Sequence, residues 1–309
     1  MGLKDTINIW QQSTNKSPTC QHDLLSSDKL TSMNIDIVVI QEPVIVNNNH
    51  SIASRDWILV YPTLHQSNLE KTRLLMLIQA QISMDSWNQL DFLSSNVMVV
   101  QFHSTWGKLM LFNIYNKGEC DNTIKLLMKY YKDNHQSLEH SQNGNAYQIW
   151  LGDFNRHHPY WDNPRDLRLF TDAAMEAAKP LLEAVADTSL ELALPRGIPT
   201  HCHSVTKQWS RLDHVFISKE SLGMLITCNA LTNHRGINTN HIPILMELNL
   251  GVALNIAKLI PNFKDMDWDE FHKMLVNFLG PAQPEEQITS QRQLDERCSG
   301  LTEAIQNTI

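Results

Sequence analysis

Residues 148–155 read Gln-Ile-Trp-Leu-Gly-Asp-Phe-Asn, an apolar run that ends in Gly-Asp-x-Asn. Gly152 permits a close backbone approach. Asp153 and Asn155 are two apart, so at a strand end both project toward one face. The carboxylate can hold a metal or position a water, and the amide can hold that water or a phosphate oxygen. Alone, the same run also suits an ordinary Asx turn. Glu42 closes a second run, Val39-Ile40-Gln41-Glu42-Pro43. It puts a carboxylate at the end of a buried strand, where a hard divalent cation would find one of its few protein oxygens. A solvated loop glutamate is the plainer alternative. Two more runs set polar residues beside apolar strands: Ser210-Arg211-Leu212-Asp213-His214-Val215-Phe216-Ile217 and Asn238-Thr239-Asn240-His241-Ile242-Pro243-Ile244. A histidine paired with an aspartate can give a proton to, or take one from, a reacting phosphate. With fourteen histidines in the chain, any one of them alone reads as a surface residue.

Weaker signals accompany these. His201-Cys202-His203 has zinc-ligand residue types, but strand alternation puts Cys202 on the face opposite the two histidines, short of a tetrahedral set. His157 and His158 follow Gly-Asp-Phe-Asn and read as shaping a substrate face. Arg156, Arg165 and Arg168 with Tyr160 and Trp161 form a candidate nucleic-acid surface, or equally a tethered solvated loop.

Such residues need strands to aim them. Runs rich in branched and aromatic residues predict strands at Thr6–Gln11, Ile35–Gln41, Trp57–Tyr61, Leu74–Ile82, Val97–His103, Lys108–Tyr115, Ala146–Leu151, Leu212–Ser218, Leu225–Leu231 and Ile242–Leu248. Ile35 to Ile40 is almost wholly apolar, as in a strand buried on both faces. Helices are expected over Pro18–Met33, with Ser17 as N-cap and Pro18 at its first position, over Asp121–Asn134, and over Leu167–Ala186. Mixed strands and helices imply packed sheets with helices outside, a layered α/β or α+β domain. After Leu250 the pattern changes to amphipathic helix, Asp267–Leu279 and Glu285–Ile309, around Gly280-Pro281. A boundary is expected near residues 250–262.

The chain has 309 residues, 42% hydrophobic and 19% charged. That suits one domain of about 250 residues with an appendage, or two modest domains. A net charge of −8 does not describe a non-specific DNA coat, although a nuclease needs only a local basic face. Five scattered cysteines form no CxxC pair, which points to a reducing compartment. The N-terminus lacks an apolar signal region, and no run approaches the ~18 residues of a membrane span. An intracellular protein with no membrane partner is the expectation.

Taken in order, the runs are Glu42, then Asn113-Ile114-Tyr115, then GDFN, then SRLDHVFIS, then His-x-Pro. That succession resembles the endonuclease/exonuclease/phosphatase (DNase I-like) superfamily over about residues 6–250. Gln11-Gln12 through Asn15-Lys16-Ser17 resembles the opening motif of non-LTR retrotransposon endonucleases. Gly152–Asp162, GDFNRHHPYWD, resembles their central one. Residues 262–309 look like the segment leading into the reverse transcriptase of such elements. No polymerase sequence follows, so a shortened reading frame or fragment is expected.

The resemblance implies an α+β fold, a four-layer α/β/β/α sandwich with two packed mixed β-sheets. Residues 1–250 would be the endonuclease/exonuclease/phosphatase domain and residues 251–309 a helical linker. It implies a metal-dependent phosphodiester hydrolase that nicks DNA, in the nucleus, with Mg²⁺ or Mn²⁺. Glu42 and Asp153 would bind the metal. Asp153, with Asn155 beside it, would orient or deprotonate the attacking water. Asp213 would orient His241, His241 would contact the scissile phosphate, and Tyr115 would contact a phosphate or leaving oxygen. Arg156, His157, Thr200 and Arg211 are the expected substrate contacts. Two positions depart from the family's pattern: Ser13 stands where it has Asn, and Asn240 where it has Asp. Both changes imply a weakened activity. The alternatives are an inactive remnant that still binds DNA and a small-molecule phosphatase of the same superfamily.

Overall fold

The computed structural model describes residues 2–26, 28–46, 50–52, 54–67, 72–139, 144–254, 266–279, 288 and 290–308. The chain opens with β1 (Gly2–Lys4), β2 (Ile7–Ser13), α1 (Pro18–Ser26), α2 (Lys29–Ser32), β3 (Ile37–Gln41), β4 (Trp57–Val60), β5 (Leu74–Gln79) and β6 (Trp87–Leu90). Next come β7 (Val97–Ser104), β8 (Gly107–Tyr115), α3 (Asn122–Glu139), β9 (Asn145–Asp153), α4 (Asp172–Asp187) and β10 (Leu190–Leu192). Then follow β11 (His201–Cys202), β12 (Trp209–Ser210), β13 (Asp213–Ser218), α5 (Lys219–Leu222), β14 (Leu225–Ala230), β15 (Ile244–Leu248) and β16 (Val252–Leu254). Two helices end the chain, α6 (Trp268–Leu279) and α7 (Gln291–Thr308).

Two six-stranded sheets carry the fold, ordered β14-β15-β2-β3-β5-β4 and β10-β13-β9-β8-β7-β6. Each is mixed in the same way: one parallel pair, β2 with β3 and β8 with β9, flanked by antiparallel neighbours. Strand alternation sorts the side chains into layers. Ile7, Ile9, Ile37, Val39, Leu109, Leu111, Ile149 and Leu151 face inward and form one core between the sheets. The outward residues of the first sheet, Trp10, Val38, Ile40, Leu75 and Leu77, pack against Leu24 and Leu30 of α1 and α2. Those of the second, Phe112, Ile114, Trp150 and Phe216, pack against Leu127 of α3 and Leu181 of α4. The architecture is the expected four-layer α/β/β/α sandwich.

The ten anticipated strands are all present. The helix expected over Pro18–Met33 is instead two. Ser17 caps α1 as its pattern implies, Oγ accepting from the Cys20 N–H at 3.1 Å. At the other end the Ser26 hydroxyl donates to the His22 carbonyl at 2.7 Å, and such back-bonding competes with continuation of the helix. Likewise α4 starts at Asp172, where Thr171 accepts from the Ala174 N–H, and residues Leu167–Leu169 form a separate 3₁₀ turn. The strands without a sequence signal, such as β6, β10, β11 and β12, are two to four residues long.

The chain divides into two compact units, Met1–Ile256 and Ala257–Ile309. In the first, β16 pairs antiparallel with β1, so strand structure continues to Leu254. In the second, α6 and α7 pack on one another. The parts of the expected tail helix at 285–287, 289 and 309 lie outside the described residues.

Candidate active site

The inward files of the central strands are apolar until their last members. Ile7 and Ile9 are followed by Gln11 and Ser13. Ile37 and Val39 are followed by Gln41, Leu109 and Leu111 by Asn113 and Tyr115, and Ile149 and Leu151 by Asp153. Both parallel pairs end on the same side of the core, and β13 begins there with Asp213. Strand register then sets Tyr115 and Asp213 on either side of Asp153. Gly152 makes this possible. Its φ is 149°, and a Cβ there would lie 1.8 Å from the Ile114 carbonyl oxygen.

His241, just before β15, is nearly buried, and its Nδ1 lies 2.8 Å from Asp213 Oδ2. Its Nε2 lies 3.9 Å from Asp153 Oδ2. Burial alone would lower the His241 pKa, but the charge of Asp213 and its hydrogen bond, with Asp153 and Glu42 behind them, raise it above the ordinary value. Asp213 thus favours the charged form of the ring and an Nδ1–H that donates to it. Burial also pushes the Asp153 carboxyl well above the usual carboxylate range, against the pull of His241 and with the push of Asp213 and Glu42. Asp153, Asp213 and His241 each offer an atom within 4.8 Å of the others, a spacing that could hold a metal ion.

Asp213 is fixed from three directions. Thr200 Oγ1 accepts from its N–H at 3.0 Å. Gln11 Nε2 donates to its Oδ1 at 3.1 Å and to Gln41 Oε1 at 2.6 Å. Gln41 Nε2 in turn donates to Asn113 Oδ1 at 2.7 Å. This buried chain of amides crosses from one sheet to the other directly beneath the Asp213–His241 pair.

Glu42 and Asn155 follow their strands in left-handed backbone, φ 49° and 50°. Glu42 Oε1 accepts from Arg73 Nη1 at 2.9 Å. Tyr115 is the register partner of Asp153, and burial with the charges of Glu42 and Asp153 holds its hydroxyl above the ordinary pKa. The Asn155 N–H donates to Asp153 Oδ1 at 3.2 Å, and its side-chain amide donates to the Asn116 carbonyl at 2.9 Å. Ser13 is fully buried, its Oγ without a partner among the described residues, while its carbonyl accepts from Thr239 Oγ1 at 2.9 Å. The Asn240 carbonyl accepts from the Cys202 N–H at 2.9 Å.

Three of the four expected substrate contacts take other posts. Arg156 is 3% exposed, and all five of its N–H donors are engaged, by the carbonyls of Ala177, Gly118, Asn155 and Cys120 and by Asp121 Oδ1. Arg211 is equally buried and donates to the carbonyls of Trp161, Pro195 and Leu194. Burial lowers its pKa to about 10. Thr200 is fully buried under Asp213. Arg156 is spent entirely on loop backbone and Asp121, while Arg211 and Thr200 hold backbone deep inside the fold. His157 is half-buried beside Asp162, 3.3 Å away. The expected arginine–aromatic surface is split in the same way, since Trp161 is buried with Arg156, and only Arg165, Arg168 and Tyr160 keep exposure.

The zinc-like triplet also divides. Cys202 is buried, and His203 is exposed with Nδ1 accepting from the Val205 and Thr206 N–H groups. His201 instead meets His241, ring centroids 5.0 Å apart. Burial and the His241 charge lower its pKa to about 4. The sequence reading passed over the parts played by Gln11, Gln41, Asn113 and Arg73. The first three had a signal, each being a polar residue on an inward register otherwise held by Ile, Val and Leu. Arg73, one residue before β5, had none.

Residues 109–245 match a protein family described as endonuclease-reverse transcriptase. No curated protein sequence matches the chain. Solved structures with this fold include the endonuclease domain of TRAS1, a telomere-specific non-LTR retrotransposon. It is 14% identical with a TM-score of 0.61, over 79% of this chain and 99% of that one. AP endonuclease LMAP from Leishmania major is 11% identical with a TM-score of 0.60, over 79% and 88% of the two chains. The 3′ phosphatase NExo from Neisseria, bound to product DNA hairpin, is 15% identical with a TM-score of 0.54, over 78% and 99%. Residues 109–245 thus resemble that endonuclease-reverse transcriptase family, and the two-sheet sandwich is the fold that these DNA-processing enzymes share.

Proposed function

We propose that the chain is a metal-dependent phosphodiesterase that nicks DNA, of the kind found in non-LTR retrotransposons. The observation that carries this reading is the run Asp213–His241–Asp153, with Glu42 and Tyr115 beside it, at one end of the inter-sheet core. Hydrolysis of a phosphodiester needs an activated water, offset of phosphate charge and donors aimed at the transition state. Asp153 orients the water and accepts its proton. Asn155 holds the turn behind Asp153 through the Asn116 carbonyl. Asp213 fixes the His241 ring so that Nε2 faces the phosphate as a charged donor. Tyr115 donates to a phosphate or leaving oxygen.

Glu42, Asp153 and Asp213 bring three carboxyl groups to one end of the core, and burial with the charges of Asp213 and Glu42 makes the Asp153 proton easy for a bound cation to replace. That donor set fits a hard divalent cation, Mg²⁺ or Mn²⁺. Glu42 and Asp153 would hold it, because both oxygens of Asp213 are already engaged by Gln11 and His241. When bound, the ion offsets charge on the phosphate. DNA is the proposed partner, and the nucleus the proposed compartment. Among the described residues no helix is long and apolar enough to cross a membrane. Residues 251–309 are read as the linker that precedes a reverse transcriptase in a longer element.

A second reading, a weakened or inactive DNA-binding remnant, has its own support in Ser13, whose buried hydroxyl has no partner among the described residues. Plasmid nicking with Mg²⁺ or Mn²⁺ separates the two. Nicked circles with 3′-hydroxyl ends are expected, lost in Asp153→Ala, and increased by Ser13→Asn with Asn240→Asp. If that double variant folds yet cleaves no DNA with either ion, the nuclease reading fails and the remnant stands.

A further inference from the structure

Arg156 and Arg211, the arginines expected to contact substrate, are committed inside the fold, yet an acidic site in a chain of net charge −8 still needs a cation for an anionic substrate. Arg73 is the arginine that reaches it. Its carbonyl accepts from the Glu42 N–H at 2.8 Å, which pins its backbone to the strand end of the site. Its Nη1 donates to Glu42 Oε1 at 2.9 Å, and its guanidinium carbon lies 5.7 Å from the centre of the Tyr115 ring. The Arg73 side chain is 31% exposed. Among the described residues Glu42 is the one acceptor shown for its guanidinium, so most of a five-donor fork is unclaimed.

We propose that Arg73 is a substrate-binding residue, taking a phosphate oxygen of the DNA strand, with Glu42 holding the guanidinium in place when no phosphate is there. The assignment rests on the phosphodiesterase reading and adds a residue to it. Three features support it. A planar guanidinium matches two phosphate oxygens at once. The Tyr115 ring beneath it restricts its plane. Its one strong partner is a carboxylate at the acidic end of the site, which keeps the guanidinium beside the place where the phosphate would lie. Arg156 has no donor to lend to this task, and Arg211 is buried among loop carbonyls.

The test is the full chain binding a fluorescent DNA duplex in EDTA, where no cleavage occurs, across a series of salt concentrations, beside nicking kinetics with Mn²⁺. Arg73→Ala is expected to bind about tenfold more weakly near 0.1 M salt, as for a lost charged hydrogen bond. Its plot of log affinity against log salt should be shallower by about 0.9, one phosphate contact. Arg73→Lys should keep the slope and lose about tenfold in kcat/KM, because a point charge replaces the fork. If Arg73→Ala melts normally and binds with unchanged affinity and slope, Arg73 is only the partner of Glu42 and the assignment is overturned. Nicking by the unaltered chain would in that case leave the phosphodiesterase reading intact. If Arg73→Ala does not fold, Arg73→Lys decides, and kinetics equal to those of the unaltered chain overturn the assignment. A chain that neither binds nor nicks DNA removes both.

Discussion

Asp213 shows how much support one carboxylate needs. His241 takes one oxygen and Gln11 the other, so the carboxylate cannot turn without breaking a bond. Gln11→Leu removes the hold while keeping the residue apolar and of similar size. It should leave KM nearly unchanged and lower kcat about tenfold or more, since the loss falls on orientation of the His241 ring. A fall in KM alone would show that Gln11 has no such role. His214 makes a separate pH prediction. Its ring lies among Phe154, Trp161 and Phe216, and burial, with Arg211 nearby, holds its pKa well below the ordinary value of 6.5. Below that value the unfolded chain binds a proton that the folded chain refuses. Stability contributed by His214 is therefore present above about pH 6.5 and lost as pH falls beneath it. His214→Phe should flatten the acid side of the melting profile between about pH 6.5 and 5. An unchanged acid slope would assign the loss to other groups.

At the scale of elements, the strands that frame the site were legible and the short edges were not. Ile37–Gln41 is buried throughout and announces itself by composition. Trp87–Leu90 alternates no apolar face and exists because β7 offers it a ladder. The ends of the strands were legible for the same reason as their bodies. Asp153 and Asp213 each break an apolar run, so their neighbours in sequence mark them. Arg156 and Arg211 misled because charge in a motif looks the same whether it points outward or binds carbonyls within. Gly152 is the element-level test. Its φ of 149° and its contact with the Ile114 carbonyl leave no room for a side chain. Gly152→Ala should destabilise the fold by on the order of 3 kcal/mol, through backbone strain and overpacking between β8 and β9. Chemical denaturation measures this, and a change below about 1 kcal/mol would mean that the two strands can part there.

For the molecule as a whole, stability and chemistry occupy opposite ends of one space. The core between the sheets is Ile, Leu, Val and Met along most of its length and amides and carboxylates at its end, so sheet packing and site assembly are one event. Nothing acts at this site until both sheets are in register. The unit Met1–Ile256 contains that space entire. A chain shortened after Ile256 should therefore melt cooperatively and nick DNA as the full chain does. Loss of nicking with an unchanged melt would assign the α6–α7 unit a part in substrate binding.

Glu42 occupies a left-handed backbone conformation, φ 49°, that costs a side-chain-bearing residue about 1 kcal/mol and glycine almost nothing. In most places a glycine is worth less to a protein than an alanine. At position 42 the order should reverse, with Glu42→Gly the more stable of the two by about 1 kcal/mol and both inactive. A chain selected only to fold would thus have reason to give up this glutamate. Position 42 is where use and durability pull apart.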